Sequence, residues 1–463
     1  MTRRPNIRRA AARAIVLLAT SGAVLAAQPA SLTIAQAVEN ALRNYPSIRV
    51  TQEEMNAAAA GIRLAQTAYL PRVDGLAQIN RATRNTFYGL LLPQSVIPGV
   101  DGVAANNLGS VWDSGMGVLV SWQPFDFGLR AANVAAATAA RNQAQATVNR
   151  TRYDVSVATA DAFLTVLAAQ QTAQAAGAAV SSWQVLLTSI HALVAAQLRP
   201  GADESRVQAE LAAAQTQVAQ AEQAIEVARA TVAQFVGLNP SQVSVNPGRV
   251  VDQLPPEAPQ APLDAAGNPL AVEQSAVVAQ EQSQLKSLER TYHPQFYAQG
   301  LASVRGTGME TDGGRLGGVN GLAPTVQNYG LGFTVTFAAM DRFAIREQEA
   351  AQSAGIRAAQ AQSQLIATNL QAQFNTALAT LAGARRVAAN TPVEVSSART
   401  ALQQAAARYQ SGLAPIDEVA QAQRLLVQAQ IDDALARLNV WRALLGVATA
   451  RGDIQPFLAQ ASQ

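Results

Sequence analysis

Residues 118–135 read VLVSWQPFDFGLRAANVA, and the stretch changes character halfway. Up to Gln123 it alternates, with Val118, Val120 and Trp122 on one side and Leu119, Ser121 and Gln123 on the other. A period of two belongs to a strand. After Gly128 the alternation stops, and an Ala- and Gln-rich run continues almost to Pro200. It predicts a helix over 129–198, roughly 105 Å long at 1.5 Å per residue. Helices of globular domains average about three turns. A strand joined end to end with a rod of this length calls for another architecture.

Outward from this stretch, the pattern recurs. LGFTVTFAAMDRFAIR at 331–346 sets Phe337 and Asp341 against Trp122 and Asp126. TAYLPRVDGLAQI at 67–79 resembles RTYHPQFYAQGLASV at 290–304, with Tyr69-x-Pro71 matching Tyr292-x-Pro294. RPGADESRVQAELAAAQTQVAQAEQ at 199–223 resembles YQSGLAPIDEVAQAQRLLVQAQIDD at 409–433. The offset, roughly 210 to 225 residues, is far beyond that of solenoid repeats, so a whole architectural unit is duplicated. The expected first repeat is 27–237, with strands 73–81 and 113–123 and helices 33–67, 129–198 and 203–236. The second is 270–450, with strands 295–305 and 327–338 and helices 269–290, 341–408 and 415–450. A Pro-rich linker, 238–269, separates them, and 451–463 form a tail. In each repeat the two shorter helices are expected to stack end to end along the long one.

Composition narrows the setting. The 463 residues are 49% hydrophobic but only 5% aromatic and 14% charged, against about 25% charged in a typical globular chain. Five arginines precede an apolar run from Ala14 to Ala27, the order of a secretory signal peptide over 1–26. Without that segment the formal charge falls from +3 to −2, which gives nucleic-acid binding no electrostatic support. There is no cysteine, hence no disulfide and no thiolate metal site. Beyond residue 27 no stretch of 18 or more apolar residues appears, so no transmembrane helix is expected and strands must make any membrane span.

The strand NYGLGFTVTF at 328–337 puts Tyr329, Leu331, Phe333, Val335 and Phe337 on one face, with Asn, Gly and Thr on the other. Met116, Val118, Val120 and Trp122 form the matching face of 113–123. Ten residues with aromatic ends suit a tilted strand spanning a bilayer. The same alternation fits a half-buried soluble sheet. Export, the lack of another sizeable core and the long loops within each strand pair favour lipid. Four strands cannot close a barrel, and open edges in lipid leave backbone groups unsatisfied. Copies must therefore associate. The Ala-rich helices suit a tube wall one helix thick, a solid coiled coil being the alternative.

These residues resemble the TolC-type outer-membrane efflux proteins. The likeness rests on LTIAQAVENALRNYPSIR at 32–49, on both Tyr-x-Pro motifs, on PFDFGLR at 124–130, on YQSGLAPIDEVAQAQ at 409–423 and on the duplicated order. It implies a mixed α and transmembrane β fold. In a homotrimer, four strands per chain would build one 12-stranded β-barrel, continued by a long periplasmic α-helical barrel. It also implies an outer-membrane exit duct in a Gram-negative bacterium, passive, non-enzymatic and without cofactor or metal. The partners would be a periplasmic adaptor, an inner-membrane transporter and outer-membrane lipid. Tyr409, Gly412 and Glu418 fit the family's entrance pattern, with Asp417 assisting a possible carboxylate ring and Gln421 where a second acid is common. Arg199, Asp203 and Glu204 on the first tip are candidates for cross-contacts. The alternative is a periplasmic coiled-coil adaptor or structural protein.

Overall fold

Pro46 decides where the first helix stops. The residue before a proline is pushed out of the α region, and Tyr45 accordingly sits at φ −70°, ψ 122°. The helix expected over 33–67 is therefore two. The first opens on a capping box, Thr33 accepting from the Gln36 backbone while the Gln36 side chain accepts from the Thr33 N–H. The second opens on Pro46, which has no N–H to leave unpaired.

The computed structural model describes residues 31–83, 109–257, 261–308, 310 and 314–462; the expected signal peptide lies outside them. Its elements are β1 (Ser31–Leu32), α1 (Ile34–Asn44), α2 (Pro46–Thr67), β2 (Arg72–Thr83), β3 (Ser110–Trp122), α3 (Leu129–Ala195) and α4 (Gly201–Val236). There follow β4 (Ser244–Val245), α5 (Pro269–Arg290), β5 (Gln295–Thr307), β6 (Val326–Thr336), α6 (Asp341–Gln410), α7 (Ile416–Arg451) and α8 (Gln455–Ala461). The sheet is antiparallel in the order β2-β3-β5-β6. The helices beneath it neighbour one another in the same lateral order, α2-α3-α5-α6, and nearer the tips the order is α4-α3-α7-α6. Thus α2 and α4 both lie along α3, and α5 and α7 both lie along α6.

Three further features depart from the sequence reading. The linker is not only a spacer: Ser244 and Val245 pair in parallel with Ser31 and Leu32. The tail carries α8, whose Phe457 packs edge-on against the fully buried Trp441 of α7. Both additions join the principal core, where Ile34, Phe163, Val236, Val250 and Trp441 meet at mid-height on the helices. The third departure is α3, which is long and apolar enough, by length and composition, to cross a membrane. Polar residues interrupt every apolar run in α3, but alanine dilutes them. Its 67 residues far exceed the about 20 of a span, and α2, α4, α5 and α7 pack along it.

Candidate channel wall and entrance

The register converts four alternating strands into two faces. Val120 of β3 stands opposite Val73 and Gly300, Val118 opposite Gly75 and Ala302, and Met116 opposite Ala77 and Val304. Ala302, Gly300, Ala298 and Phe296 in turn face Tyr329, Leu331, Phe333 and Val335. Directly paired residues share a face, so every one of these apolar side chains lies on the same side. Asp74, Gln78, Ser121, Gln299, Arg305 and Asn328 line the other. The apolar face is bare: Tyr329 is 89% exposed and Leu331 87%, and Met116, Val118, Val120, Trp122, Phe333, Val335 and Phe337 are exposed too. Phe337 lies one residue past the end of β6. Among the described residues, both outer strands, β2 and β6, have one edge unpaired.

Below the strands each repeat seats its rod on a tyrosine ring through an arginine, by different turns: the first passes through left-handed Phe127 and Gly128, the second through Met340 in the right-handed region. In the first, Asp126 accepts from the backbone N–H of Gly128 (3.1 Å) and Arg130 (2.7 Å) and from the Arg130 guanidinium (2.8 Å). Burial pushes the Asp126 carboxyl up, but these hydrogen bonds and the Arg130 charge outweigh it and hold it below the usual carboxylate value. The Arg130 guanidinium lies over the Tyr69 ring at 4.7 Å, and Trp122 Nε1 donates to the Tyr69 carbonyl at 3.2 Å. In the second repeat Arg342 lies over Tyr292 at 5.5 Å, and Tyr292 meets Phe337 at 5.3 Å. Arg130 and Arg342 are each the second residue of a long helix. The Tyr-x-Pro motifs thus supply the rings on which the rods are seated.

At the far end, the two hairpin turns lock together. Gly412 takes φ +77°, the left-handed cap that glycine adopts without a Cβ penalty, and Leu413 N–H returns to the Arg408 carbonyl. The first turn repeats this with Gln197 at φ +59° and Leu198 N–H on the Leu193 carbonyl. By cap geometry Leu198-Arg199-Pro200 superposes on Leu413-Ala414-Pro415, a register five residues from the one that the 199–223 and 409–433 match suggests. Arg199 stacks on the Tyr409 ring at 4.4 Å and donates to the Tyr409 carbonyl, while Tyr409 Oη donates to Asp203 at 2.9 Å. Tyr409 is buried. Burial first, then its hydrogen bond to Asp203 and that residue's charge, push its hydroxyl up to about 12, with Arg199 pulling the other way.

The other expected entrance residues have partners within the chain. Glu418 faces Arg408 at 3.7 Å, Asp417 faces Arg206 at 3.6 Å, and Glu204 meets His191 Nδ1 at 2.9 Å. Gln421 stands exposed on α7 outside this network. Sequence reasoning passed over five participants: His191, Arg206, Glu210, Arg408 and Arg424. Glu210 sits between Arg206 (3.4 Å) and Arg424 (3.5 Å), bridging α4 to α7. Only the Arg206–Glu210 spacing, one helical turn, was visible in the sequence.

Residues 37–238 match the family described as outer membrane efflux protein. No curated relative matches the chain by sequence. Among solved structures, the chain is similar to an outer membrane protein, VceC, of Vibrio cholerae, at 17% identity and TM-score 0.70, covering 91% of this chain and 96% of that one. It is also similar to the open state of the MtrE outer membrane channel of Neisseria gonorrhoeae, at 15% identity and TM-score 0.71, covering 93% and 90%. A membrane protein of Pseudomonas aeruginosa gives 18% identity and TM-score 0.75, covering 91% and 90%.

Proposed function

We propose that the chain is a member of the outer membrane efflux protein family, whose model its residues 37–238 match and whose reading its likeness in fold to solved outer membrane proteins supports, and that it is the exit duct of a tripartite efflux system. It sits in the outer membrane with its helices in the periplasm and is a channel, not an enzyme. Three copies close a 12-stranded barrel above a helical tube, and a periplasmic adaptor links that tube to an inner-membrane pump. Transport through it is passive, driven by the pump.

One observation carries this reading. The strand order and the helix order are the same, so the unpaired edge of β6 lies above the open side of α6, and the unpaired edge of β2 above α2 and α4. A sheet whose apolar face is bare and whose edges are open would leave each unsatisfied backbone group in lipid costing several kcal/mol. Joining β6 of one copy to β2 of the next removes both edges and brings the open helix sides together in one step. A periplasmic adaptor would have no use for such a sheet.

The entrance is shut at rest by the Arg199–Tyr409–Asp203 contact, helped by Glu418 and Asp417 with their arginines. Fractionation and native mass test the assignment: recovery from the outer membrane at about three mature chains supports it, and a soluble periplasmic monomer removes it. Glu418→Ala and Tyr409→Phe are expected to raise single-channel conductance in planar bilayers. Unchanged conductance in both would take the gate away from these residues.

A further inference from the structure

Each long helix carries, at the same height, a residue that a long straight helix disfavours. Gly177 is the only glycine of α3, and Pro392 the only proline of α6. Each lies 18 residues before the last residue of its helix, roughly 27 Å from the hairpin turn at 1.5 Å per residue. Their offset of 215 residues is the one that superposes Leu198 on Leu413 and Pro200 on Pro415. The other glycines of α6, Gly355 and Gly383, have alanines at that offset, Ala140 and Ala168. Gly177 and Pro392 are the matched pair.

Both positions weaken the backbone ladder. Pro392 has no N–H for the Ala388 carbonyl, and its ring crowds that carbonyl. Gly177 is the α3 residue with the widest backbone freedom, and glycine weakens a helix interior relative to alanine. A Cβ on Gly177 would meet no heavy atom within 4 Å. Close packing therefore does not demand glycine there, and what glycine adds is backbone freedom. The residue just before each weak point is held firmly. Thr391 is buried and donates to Asp433 at 2.8 Å, whose other oxygen accepts from Arg437 at 2.8 Å; Ala176 is fully buried.

We propose that Gly177 and Pro392 are paired hinges, one per repeat, about which the two entrance hairpins swing when the duct opens. This rests on the duct reading above. Below the hinges, the hairpins part as the Arg199–Tyr409–Asp203 contact breaks. Above them, the helices keep their places in the tube.

The cysteine-free chain allows a direct test. Spin labels on Leu413→Cys, below the hinge, and on Leu365→Cys, above it, report distances between copies by pulsed EPR; both side chains are exposed. Tyr409→Phe is expected to widen the Leu413 distances but not the Leu365 ones. It should raise the open fraction roughly fivefold, the worth of about one hydrogen bond. Adding Gly177→Ala and Pro392→Ala, which both favour the helix, should return distances and conductance to those of the parent. The hinge is overturned if the stiffened variant opens as far as Tyr409→Phe alone, or if Leu365 labels separate as much as Leu413 labels. It also falls if neither Tyr409→Phe nor Arg199→Ala widens the tips. A lack of conductance in every variant would count against the duct instead, and the label distances in purified trimers would still decide the hinge.

Discussion

Gln197 and Gly412 occupy one position in two copies of the same turn, and only one of them suits it. A side chain in the left-handed region costs about 1 kcal/mol relative to glycine. Gln197→Gly should therefore raise the midpoint of thermal unfolding, and Gly412→Gln should lower it. Midpoints that move in neither variant would mean that these turns open before the rest of the molecule unfolds. Asp126 gives a prediction in pH. Its carboxyl is held low in the folded state, so its contribution is complete above the ordinary carboxylate value of 3.8 and disappears as pH falls through the lowered one. Wild type should lose more stability than Asp126→Asn between about pH 5 and strongly acidic conditions. Parallel acid profiles would contradict the assignment.

At the scale of elements, the face assignment is tested by Phe333→Arg. An arginine on a lipid-facing strand costs roughly 2–4 kcal/mol near the bilayer midplane, so this variant should fail to assemble while Thr334→Arg, on the opposite face, assembles. Equal assembly of the two would mean that the apolar face does not meet lipid. The strands were legible because a period of two, once registered against its neighbours, leaves no choice of face. The rods were legible because Ala and Gln sustain helix without interruption. The break at Tyr45 was also there to be read, since Pro46 forces it, but a long amphipathic run masked it. The β1–β4 pairing and the seating of α8 were not readable: two-residue strands and a seven-residue helix have no periodicity, and both owe their form to tertiary packing. The candidate entrance was half legible. Tyr409 and Gly412 announce a cap, but Tyr409 reaches Asp203 across more than 200 residues, and no local pattern records a contact of that span. The tip register was misjudged for a similar reason, because the Ala- and Gln-rich flanks align almost equally well at several offsets.

At the scale of the whole molecule, the shared lateral order of strands and helices makes each chain a strip with two unlike sides, the β6–α6 side and the β2–α2–α4 side. The interface we propose between copies is then head-to-tail, and it ends only when the last copy meets the first. A chain faulty on one side alone can still join a neighbour by the other, and it then prevents that ring from closing. Loss of function at either edge should therefore be dominant. Co-expressed in equal amounts with wild type and mixing freely, a β6-edge variant should leave roughly one ring in eight intact in an assembly of three. A cell would tolerate deletion of one of two gene copies better than damage to one of them.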